Sequence, residues 1–288
     1  VICKFWYNAS TTYHKGIPLQ LTAPDNFDLF PELIPEPIID STPTCEQVLL
    51  LGDCLSVMNT LPEKSVDLIL TDLPYGTTNA RGDNPIALRQ LWVRYKRLLK
   101  PTGCVLIFGN NPFTAQVVLS NQEWYKQTLI WDKNKCGSPG LANIRPMQIH
   151  EDIVVFAPKK TVYNPQMTVG EPYERQTDRP EGYEGKSNTH GYGLKPVKGF
   201  KNEGTRFPRS IIRISRDFSA QQQVHPHQKP TELLEYLIKT YSNVGDVVLD
   251  SCVGSGSTLI AARNTGRYGI GIENDPVYFE IAKTRLGL

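Results

Sequence analysis

The chain has 288 residues, 40% of them apolar and 21% charged, the composition of a folded protein with a sizeable core rather than of a disordered segment. No run of about 18 apolar residues occurs, which excludes a membrane-spanning helix, and the opening VICKFWYNAS lacks the basic-then-apolar pattern of a signal peptide. The net charge of +2 hides an asymmetry: residues 159–230 hold 13 Lys and Arg against 7 Asp and Glu, the remainder 18 against 22, and a basic stretch on an acidic body suits a polyanionic partner.

In chain order, residues 1–44 contain six prolines (Pro18, Pro24, Pro31, Pro35, Pro37, Pro43) and no useful periodicity, so they are expected to form an extended arm. From Glu46 the pattern is α/β. Residues 47–51 and 65–71 (SVDLILT) are apolar runs of buried-strand type. Residues 88–99 are expected to be helical, with Leu91, Tyr95, Leu98 and Leu99 on one face; Pro101 to Gly103 break the pattern before a strand at 104–108 (CVLIF). Residues 128–131 and 153–156 are further strands.

Residues 159–224 are rich in Gly, Pro, Tyr, Lys and Arg without periodicity, an insert dominated by loops. After it, Thr231 is expected to cap a helix carrying Leu233, Leu234, Leu237, Ile238 and Tyr241 on one face. A strand at 247–249, the glycine turn DSCVGSG, a helix through Ala261 and Ala262, a strand at 268–272 ending on Glu273, and a last helix capped by Asp275 with Pro276 at its first position follow. Strand, glycine turn, helix, strand and acid are the mononucleotide-binding half of a doubly wound sheet.

Two stretches carry chemistry. In Asp250-Ser-Cys-Val-Gly254-Ser-Gly256 the glycines let a ligand approach the backbone, and the acid can accept from a ribose hydroxyl or an ammonium. Glu273, 23 residues on, can accept from both ribose hydroxyls. The third glycine of the dinucleotide fingerprint is missing, which argues against NAD. In Asp72-Leu73-Pro74-Tyr75 a strand ends in an acid, a turn and an aromatic ring. An exocyclic amino nitrogen has its lone pair delocalised into the ring, so its methylation needs acceptors that hold its protons and favour the sp³ form. Asp72 and the Leu73 carbonyl can supply them, with Tyr75 stacked on a flipped-out base; a tight turn with a buried acid and a core tyrosine is the plainer alternative.

The tetrapeptide DLPY resembles the [DNS]-P-P-[YFW] motif of amino-methyltransferases, and DSCVGSG resembles their methionine-binding loop. The hexapeptide HPHQKP (225–230) is similar to the H-P-x-Q-K-P that precedes that loop in the circularly permuted β class of DNA amino-methyltransferases, and WDKN (131–134) and HED (150–152) also look like phage and bacterial members. The order of the motifs is that of the class, over roughly residues 48–286. The resemblance implies the class I S-adenosylmethionine-dependent (Rossmann-like) methyltransferase fold, a doubly wound and mostly parallel sheet with an inserted target-recognition region. It divides the chain into the arm 1–44, a catalytic half 45–158, the insert 159–224 and a cofactor half 225–288.

It further implies S-adenosyl-L-methionine as cofactor and DNA as partner. The cofactor would meet Asp53, Cys54, His225, Lys229, Asp250, Gly254, Gly256, Ser257, Thr258, Glu273 and Asn274, with His225 and Lys229 at its methionine end. Asp53 has an alternative as the cap of a helix over 54–61. Adenine N6 is the expected target because Asp heads the motif, where Ser is commoner among cytosine N4 enzymes; cytosine N4, a protein glutamine and an inactive DNA-binding subunit are the alternatives. Leu73 departs from the usual Pro but still offers its carbonyl. His150 is read as structural. In the insert, Arg206, Arg209, Arg213 and Arg216 recur at three- or four-residue intervals and are candidate phosphate contacts, although RSIIRIS (209–215) could equally be a strand with its arginines toward water.

Six cysteines (Cys3, Cys45, Cys54, Cys104, Cys136, Cys252) show no C-x-x-C and no His at zinc spacing, so free thiols, no metal and a cytoplasmic location are expected. No Cys follows a Pro, which removes the nucleophile of cytosine-C5 methylation. A homodimer and a cognate restriction endonuclease, as in restriction-modification, stay open as partners.

Overall fold

The computed structural model describes residues 45–76, 85–135, 139–175, 200–216 and 228–288; the arm 1–44 and His225 lie outside them. The strands are β1 Gln47–Leu51, β2 Val66–Thr71, β3 Leu99–Gly109, β4 Tyr125–Asp132, β5 His150–Phe156, β6 Thr168–Val169, β7 Tyr173–Arg175, β8 Phe200–Asn202, β9 Thr205–Arg206, β10 Ile211–Arg213, β11 Val247–Asp250 and β12 Tyr268–Glu273. The helices are α1 Cys54–Met58, α2 Leu88–Leu98, α3 Phe113–Ser120, α4 Thr231–Tyr241, α5 Ser257–Asn264 and α6 Pro276–Leu286.

Eight strands form one sheet in the order β1-β12-β11-β2-β3-β5-β4-β10. All of its pairings are parallel except those of β5 with β3 and β4. Seven strands therefore run one way, and their carboxyl ends share one edge with the start of β5. Side chains alternate between faces: Ile69, Val105 and Ile107 pack with Leu91, Trp92 and Tyr95 of α2, while Leu70, Leu106 and Phe108 pack with Leu233, Leu237 and Ile238 of α4. Burial on both faces explains why β2 and β3 read as unbroken apolar runs. This is the doubly wound, mostly parallel sheet expected from the sequence. Among the described residues no helix is long and apolar enough to cross a membrane.

Four local expectations change. α2 ends at Leu98, and β3 begins at once on Leu99, which pairs with Val66 ahead of a register shift; burial of Leu99 outweighs the break signal of Pro101. Thr231 is the first helical residue and Pro230 the N-cap, with no side-chain cap bond; proline's fixed φ and missing N–H suit that boundary. The helix expected over 54–61 stops at Met58, with Asp53 as its N-cap accepting from Ser56 N–H. The insert is not wholly irregular, since β6 pairs with β9, β7 with β8, and β10 joins the main sheet beside β4. The strand alternative for 209–215 thus holds in place of a helix.

Gly256 turns the chain into α5 in the left-handed region (φ 82°), and a Cβ placed there would lie 3.2 Å from the Ala282 Cβ of α6. Gly256→Val is therefore expected to lower unfolding stability by about 1–3 kcal/mol from the backbone conformation alone. Urea denaturation followed by circular dichroism measures this, and an unchanged midpoint would refute it.

Candidate functional site

β2 and β11 are adjacent, with Leu68 and Ile69 opposite Val248 and Leu249, so Asp72 and the loop that begins at Asp250 emerge side by side. The junction is pinned from below. Thr71 Oγ1 lies 3.2 Å from Ser251 Oγ, and the buried Tyr95 hydroxyl lies 2.6 Å from the same oxygen. Neither Thr71, Ser251 nor Tyr95 was assigned a part in the site from the sequence.

Asp72 is the hub of a charged cluster. Tyr75 Oη donates to Asp72 Oδ1 at 2.8 Å and Lys229 Nζ to Oδ2 at 2.6 Å. Lys229 also pairs with Glu151 Oε2 at 3.1 Å, and Glu151 Oε1 accepts from Lys133 at 2.8 Å. Glu151 is buried, which opposes its ionisation, yet the two ammonium groups hold its carboxyl down at about 2. The carboxylates on both sides of Lys229 push its pKa up against the effect of burial. Two acids and two lysines thus balance in a space that could not hold an unpaired charge. Lys133 and Glu151 lie within WDKN and HED; a charge at either end of an apolar strand was the signal that could have singled them out.

The Tyr75 ring stacks on Phe113 with centroids 4.7 Å apart and planes at 27°, so Phe113 backs the aromatic platform. The Leu73 side chain is buried in the α2-facing core. Packing there replaces the rigidity a proline would bring. Pro74 is half-buried beside it.

The cofactor candidates gather at the same edge, around the ends of β1, β11 and β12. Glu273 accepts through Oε2 from Gly254 N–H at 2.8 Å and through Oε1 from the N–H groups of Asn274 and Asp275 at 3.0 and 2.9 Å. Oε1 thus accepts two bonds already, while Oε2 accepts one and keeps a lone pair for a ribose hydroxyl. Gly52 N–H donates to the Glu273 carbonyl at 2.8 Å, which brings Asp53 and the buried Cys54 to the same place, where Cys252 of the glycine loop pulls the Cys54 thiol pKa down. Asp250 is buried and serves the loop itself, accepting from Thr258 Oγ1 at 2.6 Å and Cys252 N–H at 3.1 Å. Burial drives its pKa up to about 6. A spare acceptor on Glu273 beside the Asp250 carboxyl fits a nucleoside that carries a positive charge.

Several candidates work inward. Ser257 and Thr258 are buried, with Arg285 donating to Ser257 Oγ at 3.2 Å, while Asn274 is exposed and contributes its N–H. A Cβ at Gly256 would meet α6, which gives this glycine a duty in the fold, and the N–H of Gly254 (φ 53°) meets Glu273. Lys229 sits at Asp72.

The four arginines do not act alike. Arg206 donates to Asn202 Oδ1 and to the Glu171 carbonyl and lies over the Tyr173 ring at 4.7 Å, which makes it a clasp of the insert. Arg213 is exposed and 3.6 Å from Asp132. Arg209 is exposed, and Arg216 is half-buried, its N–H donating to the Lys133 carbonyl at 3.4 Å. Among the described residues no group of three or more His, Cys, Asp or Glu could hold a metal ion.

Residues 66–284 match the family model for N6/N4 methyltransferases, described as DNA methylase. The chain is 28% identical over 258 residues to the type II methyltransferase M.HpaI of Haemophilus parainfluenzae, covering 84% of this chain and 74% of that one. It is 25% identical over 271 residues to the type II methyltransferase M.HinfI of Haemophilus influenzae, covering 83% and 67%. Among solved structures, the M1.HpyAVI–SAM complex matches with a TM-score of 0.57 and 25% identity, covering 84% of this chain and all of that one.

Because Asp250 carries its proton below about pH 6 in the free protein, S-adenosylmethionine should bind more tightly as pH rises through that value, where the ionised acid favours a cation. Calorimetric titration from about pH 5 to about pH 8 checks this; Asp250→Asn should flatten the profile, and a flat wild-type profile would exclude the coupling.

Proposed function

The chain belongs to the DNA methylase family of the N6/N4 type, and from that premise we propose that it methylates the exocyclic N6 of an adenine turned out of duplex DNA. It is an S-adenosylmethionine-dependent DNA methyltransferase. The observation that carries the finer reading is the Asp72 carboxylate, fixed between Tyr75 and Lys229 beside the cofactor loop.

When bound, S-adenosylmethionine supplies an electrophilic methyl group on a sulfonium. Asp72 and the Leu73 carbonyl accept the two amino protons of the target, which draws the nitrogen lone pair out of the ring and toward the methyl carbon. Each carboxylate oxygen takes up to two hydrogen bonds, so Asp72 can keep Lys229 while the amino group joins or displaces Tyr75 at Oδ1. The bound cofactor would supply the methyl carbon for the new N–C bond and would keep the electron pair of its C–S bond on sulfur. Positive charge then falls on the nitrogen next to Asp72, which stabilises it until the proton leaves to water; its acidity at that stage removes the need for a dedicated base. Tyr75, backed by Phe113, stacks on the base.

The aspartate at the head of the tetrapeptide supports adenine over cytosine. Recognition is assigned to the insert 159–224, where the exposure of Arg209 and Arg213 supports phosphate contact, while Arg206 bonds within the insert. The similarity to two type II methyltransferases supports an endonuclease partner sharing the recognition site. The homodimer rests on the sequence resemblance alone, and the cytoplasm is the compartment in which DNA and cofactor would meet.

DNA incubated with the protein and methyl-labelled cofactor, then digested to nucleosides, should yield labelled N6-methyladenine; N4-methylcytosine would overturn the adenine assignment. Asp72→Ala should lose turnover while binding the cofactor within about threefold of wild type, since Asp250 and Glu273 stay in place and Lys229 keeps Glu151 as its partner. Retention of about a tenth of the wild-type rate would remove its catalytic role.

A further inference from the structure

The segment joining β4 to β5 rises from the edge that carries the catalytic cluster. Its two feet are Lys133 and Glu151, themselves members of that cluster, and Lys133 N–H donates to the Ile149 carbonyl at 2.8 Å to close its base. Pro139–Leu141 forms a 3₁₀ turn, and the N–H groups of Ile144 and Arg145 both donate to the Leu141 carbonyl, at 2.9 and 3.0 Å. Gln148 Nε2 donates to Asn110 Oδ1 at 2.8 Å, tying the returning limb to the end of β3.

The turn and the limb that returns from it hold large apolar side chains in water. Ile144 is 78% exposed, Met147 51% and Ile149 42%, and exposed Arg145 stands next to Ile144. A single exposed apolar residue calls for no explanation, but three within residues 144–149, in the connection that leads into the catalytic cluster, mark an interaction surface. A base that leaves the helix to reach Asp72 leaves unstacked neighbours and a hole behind it. Apolar side chains fill such gaps in bent or opened duplexes, and the β-branched Ile144 loses little rotamer freedom in doing so.

We propose that Ile144 is the wedge that occupies the space vacated by the target base, with Met147 against the neighbouring base and Arg145 on the flanking phosphate. The proposal rests on the reading that the target is a base in duplex DNA. It assigns this turn to opening the duplex and leaves the chemical step to Asp72.

The test uses the full chain, duplexes carrying its site as mapped by sequencing modified bases in an expressing host, and two forms of target: correctly paired, or opposite an abasic position. Ile144→Ala should lower kcat/KM about tenfold on the paired duplex and stay within about twofold of wild type on the unpaired one, where the cost of unpairing is already met. The fluorescence rise of 2-aminopurine at the target should shrink in parallel, while Leu119→Ala, another exposed apolar site, should match wild type on both duplexes. An equal loss on both duplexes would make Ile144 a general DNA contact and overturn the wedge, as would no loss on either. A wild-type protein that methylates neither duplex would overturn the underlying reading and the wedge with it, a result distinct from a defect confined to the variant.

Discussion

The parallel pairing of β2 with β11 is the constraint on which the site depends. It sets Leu249 opposite Ile69, so strands that are 180 residues apart where Ser251 meets Thr71 end side by side. One ends in the acid that would hold the target, the other in the loop that would hold the cofactor. A sheet buried on both faces leaves only its carboxyl edge open to ligands. β1, β12 and β3 run the same way and bring Asp53, Glu273 and Asn110 to that edge. The insert can enter the chain between the two halves because α4 returns to the same sheet face as β2, where Leu233 and Leu237 meet Leu68 and Leu70.

Charge balance explains the shape of the site around Asp72. An isolated carboxylate half out of water would lose much of its solvation, and Lys229 offsets this at 2.6 Å. That lysine is nearly buried in turn and leans on Glu151, and Glu151 on Lys133. The result is a neutral chain of four groups spanning β2, β4, β5 and the entry to α4. Methyl transfer moves a positive charge from sulfonium to nitrogen, toward Asp72. A carboxylate already anchored on its far oxygen needs little reorganisation to meet that charge.

Much of this was legible in the sequence because strand ends are marked by abrupt changes of residue type. SVDLILT ends at Asp72, VVL at Asp250 and YGIGI at Glu273, and each boundary agrees with the structure within a residue. Asp275 caps α6 as expected, accepting from Val277 N–H. What the sequence hid was the third dimension. Gly256 reads as a cofactor glycine because it sits in a glycine loop, and only the fold adds that the space its Cβ would take belongs to Ala282, 26 residues away along the chain. Arg206 reads as one of four equivalent cations, yet Tyr173 and the Glu171 carbonyl claim it. Glu151 reads only as the middle of HED, outside the strand expected at 153–156, and the fold of β5 against β3 and β4 brings it to Lys229. Local patterns report an element and its ends; pairings between distant segments decide which of two plausible duties a residue performs.

A crystal structure with a non-reactive cofactor analogue and a duplex carrying the target site tests the central claim most directly. The account predicts the target amino nitrogen within hydrogen-bond distance of Asp72 Oδ1 and the Leu73 carbonyl, its ring stacked on Tyr75, with Lys229 still on Oδ2. A target base left paired within the duplex, or an amino group held by other acceptors while Asp72 stays closed on Tyr75 and Lys229, would contradict it.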